Sequence, residues 1–471
     1  MLEDYLYKIA PIYQSSPQLL KFIFGNIYHY IPNHLKFGRT YSHYRKLLNE
    51  TEKWDQKKLN NYQFNKIKNI VEYAYNNVPF YQQYWKEFGF HPFKLKNLDD
   101  IKKIPFICKN DIRKNPKQFL SKRISKSKIL EVSTGGSTGE PLSLFYCKGI
   151  QRPREQAFIE KQWGRIGYDA RDSIAVLRST VVERFGKRIL WTYDPTRNRY
   201  IFSTFDLTKN NLPLILDQLR KAKPKFLHVY PSVLTIIANY IKLNNETSIE
   251  GLKGILSGSE NTFPWQIALF QEVFKCKIFR WYGLSEMSAL AGSCEKSFYY
   301  HCFPEYSYIE LIGHNGEQVT DEGEIGEIVG TAFDNPAMPL IRYRTGDFAA
   351  KGPKKCSCGR QHFLLGEIQG REQEKIIAFD GSEISLGPVI FGIHHIFWTN
   401  IAQIQFVQIQ KGELVVKIQP SDHRIDHEKL IDFIGKNIFF KLKGNFNLKI
   451  EFTDNFEKTP NGKHKLLVSY L

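Results

Sequence analysis

Residues 133 to 141 read Ser-Thr-Gly-Gly-Ser-Thr-Gly-Glu-Pro and follow the apolar run Ile129 to Val132. Glycines let backbone N–H groups approach anionic oxygens without a Cβ in the way, and hydroxyls add further donors. Ser133, Thr134, Gly135, Gly136, Ser137, Thr138 and Gly139 are therefore candidates to wrap phosphates. The Lys-Ser/Thr ending of a Walker loop is missing, and taken alone the segment also reads as a flexible Gly/Ser turn. A second set of groups lies downstream as Cys294-x6-His301-Cys302 and Cys356-Ser-Cys358. Cys and His drawn from two loops can supply the four N/S ligands of tetrahedral Zn²⁺. His301 and Cys302 compete for the fourth position and His362 is a spare; the alternative is a group of buried reduced thiols. A site closed by four protein ligands would be structural rather than catalytic.

Four further short segments complete the chemistry. Trp281-Tyr282-Gly283-Leu284-Ser285-Glu286 follows a strand-like run, Tyr343-Arg344-Thr345-Gly346-Asp347 follows hairpin-like runs, Gly370-Arg371 comes next, and Thr459-Pro460-Asn461-Gly462-Lys463 lies near the C-terminus. In this order behind the Ser/Thr/Gly loop, they resemble the adenylate-forming superfamily of acyl-CoA ligases, luciferases and peptide-synthetase adenylation domains, and in particular its phenylacetate-CoA ligase and CapK-like capsule-biosynthesis branch. Pro79-Phe80-Tyr81, the run Leu98 to Arg113, Ser257-Gly258-Ser259-Glu260 and Cys356 to Arg360 add to the resemblance, which covers residues 70 to 471.

What the resemblance implies is an ATP-dependent activation of a carboxylic acid to its acyl-AMP, with pyrophosphate released. The loop Ser133 to Gly139 would hold the β- and γ-phosphates. Glu286 would hold Mg²⁺, a task suited to a hard oxygen ligand. Tyr282 would lie on the adenine, Asp347 would accept hydrogen bonds from the ribose hydroxyls, and Arg371 would assist at ribose and phosphate. Gly283, Ser259 and Glu260 fall on the same nucleotide side. Lys463 would bridge the carboxylate oxygen and the α-phosphate, where positive charge offsets the developing negative charge. Tyr230 and Pro231, with Ser257 and Gly258, would line the acyl pocket and admit an aromatic ring or a hydroxylated acyl group equally well. The acceptor implied by phenylacetate-CoA ligase is CoA; the capsule branch implies an amine, sugar or carrier in surface-polysaccharide synthesis. Two positions depart from the pattern: Gln373, flanked by Glu372 and Glu374, stands where many relatives carry Asp, and His464 and Lys465 follow Lys463 where relatives often have an aromatic residue and Arg.

The elements that must position these residues follow from periodicity. Between residues 130 and 345, short apolar runs (Ile174 to Leu177, Phe226 to Tyr230, Gly254 to Leu256, Ile278 to Tyr282) alternate with helical stretches such as Val233 to Leu243 and Pro264 to Phe274, which predicts α/β layers. Gly-punctuated strands from 310 to 350 predict a β subdomain of hairpins. After Gly370 the pattern restarts as strands at Ile401 to Gln410 and Glu413 to Ile418, a helix at His427 to Ile438 and a strand at Leu448 to Phe452. The expected division is thus an N-terminal α/β domain over 1–369 and a small mobile α+β lid over 370–471 that carries Lys463. Leu19, Leu20, Ile23, Phe24, Ile27 and Tyr28 recur at helical spacing within a lead-in over residues 1–60, expected to pack on the main domain rather than on a membrane face.

Composition bounds the rest. At 471 residues with 42% hydrophobic side chains and no repeat, the chain is globular, and solenoids and disordered chains are excluded. No run approaches the ~18 apolar residues of a membrane span, and the N-terminus lacks the pattern of an export signal, so a cytoplasmic location is expected. Seven cysteines, an odd number, fit free or metal-bound thiols better than disulfides. The net charge of +18 peaks between Lys102 and Lys128, where Asp111 is the only acid among ten basic residues. A lysine-rich solvated surface explains that charge more simply than nucleic acid, since no nucleic-acid-binding signature accompanies it. No Ser/His/Asp arrangement anchors hydrolase chemistry among the thirteen scattered histidines.

Overall fold

The computed structural model describes residues 13, 16–133, 142–178, 182–184, 187–208, 210–371, 375–386, 401–420, 425–442, 445–459 and 464–471. The chain forms two compact units, each assembled from separate stretches: Met1–Arg171 with Arg280–Ile368, and Asp172–Phe279 with Gln369–Leu471. The expected boundary at Gly370 is close to one crossing point between units. By packing, however, the C-terminal segment joins residues 172–279 instead of forming a body of its own, because its apolar core continues onto Phe263 and Trp265.

The described part of the first unit includes the helices Gln18–Tyr30, Asn33–Thr51, Gln56–Asn77 and Pro79–Glu87. Asp55 caps the third by accepting from Lys58 N at 2.7 Å, and Pro79 opens the fourth, where its missing N–H leaves no bond unmade. Tyr41, Tyr44 and Leu48 of the second helix pack against Ala157 and Phe158 of the helix Gln151–Gly164 and against Phe303 and Tyr306. The first helix behaves differently. Leu19, Leu20, Phe22, Ile23, Phe24 and Ile27 are exposed, so the apolar residues expected to pack inward point out. Periodicity identifies a helix with an apolar face but not the direction in which that face turns.

The sheet of this unit runs in the order Ser307–Ile312, Ile325–Ala332, Tyr343–Lys351, Leu364–Arg371, Tyr300–Cys302, Leu290–Gly292 and Lys277–Gly283. The long hairpins at one side realise the β subdomain. A separate antiparallel ribbon pairs Ile129–Ser133 with Ser143–Cys147, Ser133 lying opposite Ser143. The chain therefore leaves and returns at one point around the expected phosphate loop; Thr134, Gly135, Gly136, Ser137, Thr138 and Gly139 themselves lie outside the described residues.

In the second unit, Gly254–Gly258, Phe226–Val229, Ile174–Leu177 and Arg199–Phe202 pair in parallel, and Trp191–Asp194 adds an antiparallel edge. Strands covered by helices on their faces read as largely apolar runs, most clearly Ile174–Leu177. Leu212, Ile215, Leu216 and Leu219 of the helix Leu212–Ala222 are buried at ordinary helical spacing. The C-terminal part orders its strands Asn447–Phe452, Glu413–Pro420, Ile401–Gln410 and Leu467–Ser469, with the helix His427–Lys441. Leu430, Ile434 and Ile438 of that helix are buried in this core. The α/β class is as expected.

Candidate functional site

The first unit brings two of the expected acids under tyrosine hydroxyls. The strand Lys277–Gly283 ends by presenting Tyr282, and the strand Tyr343–Lys351 carries Asp347. Tyr282 Oη donates to Asp347 Oδ2 at 2.8 Å, with Asp347 only 6% exposed. Burial, then the Asp347 carboxylate beside it, holds the Tyr282 phenol well above its ordinary pKa, so it stays a donor. The turn before Asp347 is fixed from both sides. Thr345 Oγ1 donates to Ile328 O at 2.7 Å and accepts from Asp347 N at 3.1 Å, while Glu327 accepts from Gly346 N at 3.0 Å and from Arg344 Nε at 2.6 Å. Gly346 has φ 75°, a conformation in which a side chain would be strained.

Glu286 sits in the loop after Gly283 and is also 6% exposed. Tyr343 Oη donates to Glu286 Oε1 at 2.9 Å, and Lys109 Nζ lies 3.9 Å from the same oxygen. Its loop is held by a Met287 N to Leu284 O bond at 3.0 Å and by the Tyr146 hydroxyl, which donates to Ser285 O. Met287 takes φ 53°, unusual for a side-chain-bearing residue and placed directly beside the acid. The loop lies flat on the sheet at Gly330, where an added Cβ would come 2.2 Å from Ser288 O. Only glycine permits that approach. Tyr343 and Lys109 are site residues the sequence reading missed; both stand in the quoted motif segments, but nothing in a one-dimensional pattern says which of their neighbours they meet.

The donor set suits magnesium and nucleotide. Mg²⁺ takes one or two carboxylates and completes its shell with phosphate oxygens and water, and Glu286 offers such a carboxylate with one oxygen engaged by Tyr343. Asp347 can serve a ribose, although Oδ2 already accepts from Tyr282.

In the second unit both Glu260 oxygens are engaged by backbone amides: Oε2 accepts from Ser232 N at 3.1 Å and Oε1 from His464 N at 3.3 Å. Glu260 thereby ties the parallel-sheet layer to the C-terminal part. Lys458 reinforces the join by donating to Thr204 O at 3.3 Å. Ser259, with φ 68°, accepts from the Arg178 guanidinium, which also meets His228 and lies over the Tyr230 ring at 5.0 Å. Arg178 is a further residue the sequence reading missed. Tyr230 and Ser257 are buried, Ser257 Oγ lying 3.0 Å from Thr262 Oγ1; Pro231 opens the helix Pro231–Leu243 and Gly258 ends its strand. Arg371 closes the strand Leu364–Arg371. Lys463 and Gln373 lie outside the described residues.

The Cys/His set gathers in the first unit. The ligand atoms of Cys294, His301, Cys356 and Cys358 all lie within 4.8 Å of one another, with Cys294 Sγ to Cys356 Sγ at 3.7 Å and Cys358 Sγ to His301 Nε2 at 3.9 Å. A tetrahedral site with Zn–S bonds of about 2.3 Å has ligand-to-ligand edges of about 3.8 Å, so the spacing fits zinc. Burial, with Arg165 and Arg360 adding, lowers the His301 pKa to about 3 and keeps the imidazole neutral, the form that binds metal. Cys302, the alternative ligand, is not part of the group. Successive side chains of the strand Tyr300–Cys302 point to opposite faces, and Cys302 packs with Ala289, Ile309 and Leu365. His362 lies beside His301, ring centroids 5.6 Å apart, without joining the set. Arg360 links the two ligand segments and the lead-in: it makes a bidentate pair with Glu295 at 2.8 and 2.9 Å and a bond to Glu52 at 3.0 Å. All seven cysteines are free of disulfides.

No family model matches the chain. Among curated proteins it is similar to Protein CapK of Staphylococcus aureus, 24% identical over 476 residues that cover 99% of each chain. It is also similar to the phenylacetate-coenzyme A ligase of Thermus thermophilus, 26% identical over 342 residues, 70% of this chain and 74% of that one. Among solved structures, a 2-hydroxyisobutyryl-CoA ligase in the postadenylation state with 2-HIB-AMP shares its fold, with a TM-score of 0.71, 18% identity and coverage of 89% and 91%. The chain is thus similar to CapK over nearly its whole length and to a phenylacetate-CoA ligase over most of it, and it shares the fold of a solved acid–CoA ligase.

Proposed function

We propose that this protein is an acid ligase that activates a carboxylic acid as acyl-AMP and passes the acyl group to CoA. The observation that carries the reading is the pair of buried motif acids, Asp347 under Tyr282 and Glu286 under Tyr343, on one sheet of a fold whose relatives are acid ligases. A substrate carboxylate oxygen attacks the α-phosphorus of ATP, the bond to the bridging oxygen breaks, and pyrophosphate leaves. Asp347 and Tyr282 bind the nucleoside. Glu286 would hold Mg²⁺, which when bound would supply positive charge at the phosphates. Lys463 and the loop Ser133 to Gly139 supply the remaining positive charge and donors. The Glu260 bridge to His464 N supports this role for Lys463, because it anchors the residue next in the chain.

The Cys294, His301, Cys356 and Cys358 group binds one Zn²⁺ as a structural clasp. The segment from about 370, packed with residues 172–279, acts as the lid that carries Lys463, and a reaction that consumes ATP and CoA fits a cytoplasmic enzyme. Similarity to CapK over 99% of both chains favours a second acceptor reading, in which an amine, sugar or carrier of surface-polysaccharide synthesis receives the acyl group.

The test is ATP–pyrophosphate exchange with a panel of carboxylic acids, followed by product analysis with and without CoA. Exchange is expected with a subset of acids and is expected to vanish in Lys463→Ala. Exchange that persists unchanged in Lys463→Ala overturns the catalytic assignment, and acyl-AMP that accumulates equally with and without CoA, with no thioester formed, selects the second acceptor.

A further inference from the structure

We propose that the helix Gln18–Tyr30 and the cationic segment around it dock this protein on an anionic lipid surface. The inference is independent of the proposed chemistry. The helix is amphipathic in the inverted sense. Its inner stripe is Lys21, Gly25, Tyr28 and His29, residues at the ordinary i, i+4, i+7, i+8 spacing, with Gly25 and His29 buried. Its outer face is Leu, Phe and Ile: Leu19 is 71% exposed, Phe22 54%, Phe24 57% and Ile27 59%, with Tyr30 at 67% at the C-terminal end. A helix that only packs on its own domain would turn these residues inward. The inner side is instead fastened by polar contacts, since Lys36 Nζ donates to His29 O at 2.9 Å and lies 4.8 Å from the centre of the Tyr28 ring. The next helix begins with Leu35, also 58% exposed.

Charge selects the occupant. From residue 5 to residue 49 the sequence holds six Lys and Arg and no Asp or Glu. Arg39 and Lys46 are exposed and Lys21 and Arg45 half-buried, and exposed His34 and His43 add no negative charge. A symmetric pair of this surface with a second copy would set positive against positive, which opposes self-association. An anionic bilayer surface complements both features at once: Leu, Phe and Ile enter the acyl boundary, Tyr sits at headgroup level, and Lys and Arg attract the headgroups. Among the described residues no helix is long and apolar enough to cross a membrane, so contact of this kind would be peripheral.

The full-length protein is sedimented with vesicles of phosphatidylcholine alone and with vesicles containing about 30% phosphatidylglycerol, an anionic content comparable to a charged leaflet. Binding is expected to the anionic vesicles, to fall severalfold as salt rises past physiological strength, and to weaken roughly a hundredfold in Phe22→Ser/Phe24→Ser, which removes two aromatic side chains that would enter the acyl boundary. Arg39→Glu/Lys46→Glu is expected to weaken it about tenfold or more with the apolar face intact. Because all four positions are exposed, unchanged far-ultraviolet circular dichroism and thermal midpoint show that the variants fold. The proposal is overturned by equal binding to both vesicle types, by binding unaffected in the double Phe variant, or by absence of vesicle binding. Sedimentation velocity showing a dimer that Phe22→Ser/Phe24→Ser abolishes assigns the face to a second copy instead and also overturns it.

Discussion

The acid pair and the Cys/His group are built on the same sheet of one unit, yet they are finished in opposite ways. Glu286 and Asp347 each accept from a tyrosine hydroxyl, and the loop that brings Glu286 carries strain at Met287. Around Cys294, His301, Cys356 and Cys358 four ligand atoms close on one another and leave no position for a substrate. Arg360 then locks their two segments through Glu295 and Glu52. Strain at Met287 marks the first group; closure of the four ligand atoms marks the second.

The largest effect that could break this contrast falls on the clasp. Cys356→Ser is expected to lose the single Zn²⁺ measured by atomic emission and to destabilise the fold by on the order of 5 kcal/mol, because metal binding and folding are coupled in such sites. Protein that binds no zinc while keeping its thermal midpoint in the presence of a strong chelator would show the group to be reduced thiols only. Next is Glu286→Gln, expected to lower ATP–pyrophosphate exchange by about 10² to 10³-fold, since it removes an ionic ligand at the phosphates. Zinc content and thermal midpoint should not change. If the midpoint moves as far as in Cys356→Ser, the acid is a structural element and the contrast fails.

Smaller again is Gly330→Ala. The added Cβ would meet Ser288 O at 2.2 Å, so the loop bearing Glu286 must lift. Overpacking of this kind costs about 1 to 3 kcal/mol, and a shift near 1 Å in a catalytic group can cost about 10²-fold in rate. Exchange is therefore expected to fall much more than stability does. A variant with wild-type exchange would mean that the loop tolerates displacement and that its position on Gly330 is not what places the acid.

What could be read in advance follows the range of the forces involved. The helices and strands of the parallel layer and the C-terminal strands are legible because period and capping are local: Pro264 opens its helix where the pattern placed it, and Pro231 opens the other, two residues before the expected Val233. The motif acids are legible because each stands in a short ordered segment. The partners are not: Tyr343 and Lys109 reach Glu286 from 57 and 177 positions away in the chain. The choice between His301 and Cys302 turns on the pleat of a three-residue strand, which sets adjacent side chains on opposite faces. The joining of 172–279 with the C-terminal segment depends on long-range packing at Phe263 and Trp265 and on the Glu260 bridge. The outward face of Gln18–Tyr30 is invisible to periodicity, which is the same for a helix turned in or out.

The smallest predicted effect is the most specific. In Tyr282→Phe the ring remains to meet an adenine while Asp347 Oδ2 loses its donor. A buried carboxylate deprived of one hydrogen bond costs about 1 to 3 kcal/mol, and that cost should appear as a lowered thermal midpoint in the absence of nucleotide. A ribose hydroxyl can donate to the same oxygen, so if Tyr282 stands in for the ribose, ATP should restore most of the lost stability. The KM for ATP in the exchange reaction should then change no more than about threefold, or even fall. If the variant instead has an ordinary midpoint and a KM raised tenfold or more, the hydroxyl contacts nucleotide directly. Asp347 would then be held by its own turn, through Thr345 and Gly346, and the tyrosine would belong to the ligand rather than to the acid.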